Sequence, residues 1–496
     1  MRMLCILLVL ALLTGCTQSP KETAPPQETA PPEETVVEVE TVVEEEMEER
    51  EQPLQGVWDE ELTALMETIN AEHKAVEKPP VNTKLYDQYF PEREKLPAPE
   101  QPDTELMVEV LTQEQAIYDV SYLCFYLSDN YALYDYFGGN EAFGAARDVM
   151  IEKIKTQEQW TPEELQKLIL EQLSFVQDHH FGVKGSPIIE KYPIFYREVE
   201  FRKGDKGYET PEGKVVASVS GQEDLDTLFK RSLNPEGDVV YYPVLFESVC
   251  ALNGSEMPGE LTVTYMDGTE QMLQPEEYRS DYINGENQDK VVIEEEDGIS
   301  KLTFKNFMNS SIATAGTKLK DAPVLLIDIR DNGGGHSNYG WNFWKNYSGQ
   351  TVTNNHLIFF QPSDEESMSD PYGVGTLLLD GRRIMNTKED VFAESDSLTV
   401  VLSAKSAYSA AEDFVDTAHN VENTLIIGEN TAGCLMAGNV FNKTLRYSNL
   451  MLMYSECAIA WPDGHFSEGY GLEPDLWCPA WYAEEAAVNF IQKHIQ

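Results

Sequence analysis

Between Trp58 and Gly182 apolar residues recur at helical spacing, in QAIYDVSYLCFYLSDNYAL and again in TPEELQKLILEQLSFV. Thr161, Pro162, Glu163 and Glu164 set the start of the second helix, because a threonine cap, a first-turn proline and acidic residues near the positive helix end all favour initiation. Tyr122, Phe125, Tyr126, Tyr131 and Tyr134 lie in the first stretch and are expected to pack in a core. Residues 56–182 therefore read as a helical N-terminal domain. From 183 to 296 the pattern changes to short alternating strands, as in KVVASVSG, DVVYYPVLF and ELTVTYMDGTEQMLQP, broken by Gly, Asn and Pro. This span is expected to form a β-rich module. From 297 to 496 apolar strands alternate with helices, beginning with PVLLIDI and continuing through SLTVVLS and TLIIG, with a helix between the last two. The expected fold class is α/β for this last span, and all the chemistry falls in it or at the boundary near His180.

Ahead of these elements lies a different kind of sequence. Residues 1–16 hold Arg2, an apolar run from Leu4 to Leu13, and then Thr14, Gly15 and Cys16. The run is too short to span a bilayer comfortably, and small residues before a cysteine resemble the lipobox of a bacterial lipoprotein. That resemblance implies lipidation of Cys16 and an extracytoplasmic, membrane-anchored protein. Residues 17–55, with a repeated ETAPP unit and many glutamates, read as an acidic Pro/Glu-rich tether that self-repels and stays extended.

The whole chain carries 86 acidic against 36 basic residues, a formal net charge of -50. Binding to nucleic acid or to an anionic membrane surface needs clustered Lys and Arg, so both are excluded as partners of the folded part. With Cys5 removed and Cys16 lipidated, Cys124, Cys250, Cys434, Cys457 and Cys478 remain. Their number is odd and their spacings match no zinc pattern, which favours buried thiols, with one bridge left open. The expectation is no metal and no cofactor.

Two segments carry candidate chemistry. In PVLLIDIRDNGGGHSNYG an apolar strand runs into Gly333, Gly334 and Gly335, a loop that can aim peptide N–H groups at a developing oxyanion or cradle a phosphate. No Lys followed by Ser or Thr completes a P-loop. In SLTVVLSAKSAYSAAEDFVDTAHN a strand ends near Ser403 and a helix begins near Ser409. Ser409 sits where a helix dipole stabilises negative charge, and equally where a plain N-cap would sit, with Glu412 completing a capping box.

The segments LLIDIRDNGGG, SAAE, GENTAG and GYGLEPD, in that order, resemble the C-terminal processing, or tail-specific, serine peptidases. The resemblance covers about residues 105 to 480 and implies a crotonase/ClpP-like catalytic core, with Ser409 as nucleophile and peptide bonds in extended or unfolded polypeptides as substrate. It gives the 183–296 span a PDZ-like reading. One branch of that family places a lysine about 25 residues after the serine, and Cys434 stands there. The tricorn-like branch uses histidine and glutamate instead. Matching QDHHFG to its DGH motif selects His180 as general base, with His179 as the rival, and Glu468, 59 residues after Ser409, as the orienting carboxylate. The N–H groups of Ala410 and of Gly333 or Gly334 would form the oxyanion hole. Ser403, Ser406, Arg330 and Asp328 are assigned structural roles, His419 a helix C-terminal cap, and His465 a contact with Glu468.

Two other classes fit parts of the pattern. A non-catalytic scaffold binding hydrophobic ligands or peptides could share the fold, although Ser409, His180 and Glu468 would not be expected to persist together in it. A crotonase-like acyl-transfer enzyme would share the oxyanion geometry, but the sequence offers no evident coenzyme A site.

Overall fold

The apolar runs near 324, 398 and 424 become the strands Val324–Asp328, Leu398–Ser403 and Thr424–Gly428, paired side by side and parallel. They are apolar on both sides because both sides are covered. Leu325, Ile327, Val401 and Ile426 pack with the helices Ser311–Leu319, Ser337–Ser348 and Ala410–Ala418, while Val324, Leu326, Val400, Leu402, Leu425 and Ile427 pack with the helices Glu60–Lys74 and Ala483–His494. This period-two division between two helical layers defines a parallel sheet buried in the middle of an α/β sandwich. The computed structural model describes residues 56–94, 96–102, 109–185, 190–249, 259–280, 282–283, 290–361, 375–379, 381–388 and 392–495. The expected signal segment with Cys16, the tether 17–55 and Cys250 lie outside the described residues.

The sheet extends to nine strands, in the order 291–296, 299–304, 324–328, 398–403, 424–428, 476–477, 229–233, 239–249 and 190–195. Its last three strands come from the span expected to be a separate β-rich module. Phe229–Leu233 pairs in parallel with Leu476–Trp477 through Trp477 and Ser232, so that span is built onto the same sheet as the core. The remainder of the span includes a three-stranded sheet in which Leu261–Tyr265 lies between Glu270–Leu273 and Val216–Val219, closing over Tyr208, Val219, Phe229 and Val263. All described residues fall within one compact unit.

The helical span folds as Gln113–Asn130, Gly139–Ile154 and Pro162–Gln172. Thr161 caps the last of these with Glu164 reaching back to its N–H at 2.9 Å. Tyr131 and Tyr134 are fully buried, whereas Tyr122, Phe125 and Tyr126 are half-buried. This layer packs on a second sheet of six strands, in which Met451–Ala460 is central and also pairs with Gly182–Val183. That last pairing places the QDHHFG segment at the junction of the two layers. At the far edge, Trp58 bridges to Ile495 and Asp59 accepts a hydrogen bond from His494, so the first and last described elements close on each other. Cys124, Cys434, Cys457 and Cys478 are buried free thiols. Among the described residues no helix is long and apolar enough to cross a membrane.

Candidate active site

The four sequence segments meet through backbone contacts that admit no side chain. Gly334, at φ +86°, lies so close to the next segment that a Cβ there would sit 2.7 Å from the Tyr408 carbonyl, 3.0 Å from Ser409 Cβ and 3.2 Å from the Ala410 nitrogen. A Cβ on Gly433, the last residue of GENTAG, would fall 2.4 Å from the Tyr470 nitrogen and 2.6 Å from that of Gly469. The glycines are required by proximity as well as by their positive φ. The Ser409 segment, the turn after Gly428 and the Gly469–Gly471 loop are thus held against one another.

Ser409 sits at φ 54°, ψ -113° as the residue before the helix Ala410–Ala418. A non-glycine residue in this region costs about 1–3 kcal/mol and persists only where its surroundings over-determine it. Here the surroundings are a buried carboxylate. Glu412 accepts from the N–H groups of Ser409 at 3.0 Å, Gly433 at 2.7 Å and Cys434 at 2.7 Å, and from the Thr431 hydroxyl at 2.7 Å. Burial, with Glu468 nearby, pushes this carboxyl up to about 7 against the pull of those donors. The capping pair foreseen in the sequence thus extends, through Glu412, into a bracket between the serine turn and the turn carrying Cys434.

Lys405 supplies the second bracket. It is buried, and its Nζ donates to the carbonyls of Thr431 at 3.1 Å, Ala432 at 2.6 Å, Gly469 at 2.9 Å and Tyr470 at 3.2 Å. One side chain thus ties the strand end to both the GENTAG turn and the Gly469–Gly471 loop. Neither Glu412 nor Lys405 stands out as functional in the sequence, because a charged residue at a strand end or in a first helical turn is ordinarily solvated. Their complete burial is the only signal, and it exists only in three dimensions.

The helix that follows Ser409 is buried on every side. Its polar residues are met by the segment 353–356. Asn354 donates to the Asp413 carbonyl at 3.1 Å and to Thr417 at 2.7 Å, Asn355 donates from its N–H to Asp416 at 2.9 Å, and Asn420 donates to the Thr353 carbonyl at 2.7 Å. Such satisfaction lets a helix rich in Asp and Thr lie in the interior without the desolvation cost of unpaired groups.

Of the expected oxyanion donors, the Ala410 N–H has no hydrogen-bond acceptor among the described residues, while Gly333 donates to the Lys305 carbonyl at 3.1 Å and Gly334 to Asn332 Oδ1 at 3.0 Å. Asn332 also accepts from the Tyr408 N–H through its carbonyl at 3.0 Å, which ties the glycine loop to the serine turn. Arg330 pairs with Asp328 and Glu484, and its carbonyl accepts from Ser406 Oγ at 2.6 Å. Ser403 Oγ donates to the Glu429 carbonyl at 2.7 Å.

The two histidines of QDHHFG diverge. His179 donates from its N–H to Glu468 Oε1 at 2.8 Å; its ring meets the Gly433 carbonyl through Nδ1 at 2.7 Å, with Glu468 Oε1 at 3.6 Å, and faces Tyr408 edge-on. His180 instead points its Nε2 at Cys434 Sγ, 3.5 Å away, at the position where a lysine would stand in the Ser/Lys branch. Its N–H donates to Asp178 Oδ1 at 2.8 Å, and Asp178 Oδ2 accepts from Tyr131 at 2.8 Å. Burial holds the His180 ring below the ordinary imidazole value, and therefore neutral near pH 7, with the Asp178 carboxylate opposing that shift. Asp178 itself is pushed up to about 6 by burial and by Glu468. Glu468 is held by the N–H of Met436 at 3.0 Å as well as by His179. The carboxylate therefore touches His179, and His180 occupies the Cys434 side. His465 does not reach Glu468; it bonds Asp416 at 2.9 Å.

Residues 298–477 match the model of peptidase family S41. That span contains the parallel strands, Ser409, Cys434 and Glu468, and leaves the two histidines to the preceding helical layer. Among solved structures, mature CPAF is 15% identical with a TM-score of 0.41, covering 77% of this chain and 96% of its own. The photosystem II D1 C-terminal processing protease is 14% identical with a TM-score of 0.34, covering 76% and 96%. A lipoprotein from Streptococcus agalactiae is 13% identical with a TM-score of 0.36, covering 76% and 97%. No curated protein matches this sequence. With its serine turn, glycine loop and acidic loop inside the matched span, the chain carries a peptidase family S41 domain and is a serine-type peptidase.

Proposed function

We propose that the protein is an exported, lipid-anchored endopeptidase that hydrolyses peptide bonds in extended or unfolded polypeptides, with Ser409 as nucleophile. The observation that carries the reading is the contact of Gly334 with Ser409 and Ala410, which sets a strained serine, the acceptor-free Ala410 N–H and a glycine loop side by side. In the reaction Ser409 Oγ attacks the scissile carbonyl. The oxyanion forms against the Ala410 N–H, and a neutral histidine takes the serine proton and returns it to the leaving amine. Water then cleaves the acyl-enzyme by the same route in reverse.

His180 is the base in this scheme, because its Nε2 reaches the Cys434 position and burial keeps it neutral. Glu468 then acts through His179, fixing the backbone of the histidine pair. A second reading, in which His179 takes the proton, is favoured by its 3.6 Å approach to Glu468. Export and anchoring rest on the Cys16 motif alone. A tether of Pro and Glu would hold the folded part clear of the membrane surface.

The test is hydrolysis of unfolded casein by the purified protein and its variants. Ser409→Ala is expected to lower turnover by about 1,000-fold or more. His180→Ala should do the same while His179→Ala retains measurable activity; the reverse order makes His179 the base. Equal cleavage by wild type and Ser409→Ala removes Ser409 as nucleophile. For export, palmitate labelling of cells is expected to mark wild type and not Cys16→Ala.

A further inference from the structure

Four of the chain's eight histidines, His73, His356, His419 and His465, gather at the far end of the helix that begins beside Ser409. Nine residues of helix put this cluster about 14 Å from the serine. His73 comes from the last turn of Glu60–Lys74, His419 caps Ala410–Ala418, and Asp475 stands just before the strand Leu476–Trp477. Each of these three offers one ligand atom within 4.8 Å of the other two. Asp416 and His465 form a second such triad with the same His419.

Two features distinguish the cluster from an ordinary buried network. His73 and His419 are each 5% exposed, and the Nδ1 atoms of both are buried with no hydrogen-bond partner among the described residues. A buried imidazole nitrogen left without a partner is costly. Second, the remaining geometry already orients a ligand. His73 Nε2 and Asp475 Oδ1 face each other at 2.9 Å, the bite of two ligands on one ion, and Asp475 Oδ2 is held by the Ile426 N–H at 2.7 Å. Asp416, by contrast, is saturated by His356, His465 and Asn355. It fits an outer role, setting the angle of His465. A cavity of about 440 Å³ borders the cluster at His73 and Asn420, with Glu77 and Lys74, Lys78 and Lys388 also on its wall.

We propose that His73, His419 and Asp475 bind one divalent transition-metal ion of zinc's class, with His465 as the neighbouring fourth group. Two imidazoles and a carboxylate suit such an ion better than calcium or magnesium, which take oxygen ligands. The spacing of the cysteines along the chain predicts no metal, whereas these three ligands are supplied by elements far apart in sequence. Once bound, the ion would pin the first helix and the end of the serine helix to the residue that closes the loop bearing Glu468.

The test uses the full chain, freed of metal by chelator and titrated with cobalt(II), followed by visible absorption and equilibrium dialysis. About one cobalt per chain is expected, with ligand-field bands and no thiolate charge-transfer band. A thiolate band would place the ion at His179, Cys434 and Glu468 instead and overturn the assignment. Asp475→Asn, which keeps the side chain's shape, and His419→Ala are each expected to weaken binding about tenfold or more, while Glu468→Gln leaves it unchanged. Wild-type protein that binds no stoichiometric cobalt overturns the proposal, whatever the variants do; so does binding that survives both substitutions. Because no turnover is needed, failure here is separate from failure of the peptidase reading.

Discussion

At the scale of single residues, the site combines a strained serine with charged groups placed where water cannot reach them. His180 illustrates the consequence for pH. Its ring lies against Cys434, its N–H bonds Asp178, and burial outweighs the pull of that carboxylate so that its pKa falls below the usual 6.5. A base must be unprotonated, so kcat/KM should hold its plateau as pH drops through 6.5 and decline only below it, a shift readable in a pH–rate profile. An acid limb centred above 6.5 would contradict the assignment of His180. Stability follows the same sign. The unfolded chain protonates His180 first, so this group destabilises the fold increasingly as pH falls from 6.5 toward its folded value. Ser409 was legible from its neighbours SAAE and from the order of the four segments. Which histidine meets Glu468 was not, because the two adjacent residues lie in a turn closed by the Phe181 N–H on the Asp178 carbonyl, and spacing cannot say which way each faces. Glu412 was legible as a cap, but its burial and that of Lys405 were not, since burial of a charge is decided by partners far along the chain.

At the scale of elements, the interlocked glycines carry the organisation. Gly433 meets the backbone nitrogens of Gly469 and Tyr470, and Gly471 would place a Cβ 2.4 Å from the Thr431 carbonyl. At both positions the crowding atoms include backbone, which cannot swing aside. Gly433→Ala must therefore push the GENTAG turn away from the loop of Glu468, with strain from its φ of +75° besides. We expect a loss of stability of about 2 kcal/mol or more, visible as a lower urea midpoint, and a drop in kcat larger than any change in KM. Undiminished kcat with normal stability would show that the two segments tolerate separation. The parallel strands were legible because they are apolar on both faces and short. The joining of Phe229–Leu233 to Leu476–Trp477 was not, since a single pair of residues, Ser232 and Trp477, carries a partnership between segments more than two hundred positions apart.

At the scale of the whole molecule, one buried sheet links elements from both ends of the described chain. The first helix belongs to the core layer by packing although it precedes the helical span in sequence, with Leu62, Met66 and Ile69 set among Val400, Leu425 and Ile427. Ile69 is completely buried there. Ile69→Ala is expected to cost about 2–5 kcal/mol by lost burial and the cavity left behind, measured by urea unfolding. A single cooperative transition should persist, since the helix and the sheet share one core; a separate early transition of the N-terminal elements would show instead that they unfold on their own.

The cradle around Cys434 also bears on whether one catalytic chemistry could be exchanged for the other. Cys434 shares Glu412 with Ser409, and its thiol lies with Glu468 inside a span of 4.8 Å that also includes His179. An amine introduced by Cys434→Lys would enter a pocket furnished with carboxylates, which favour its charged form and raise its pKa. Such a lysine would hold its proton at neutral pH. Cys434→Lys is thus expected not to restore casein hydrolysis to a His179→Ala, His180→Ala double variant, and recovery would require removal of Glu412 or Glu468 as well. The acidic furniture that suits a histidine makes this scaffold a poor host for the lysine mechanism, so a route between the two chemistries would have to pass through the carboxylates before it reached the base.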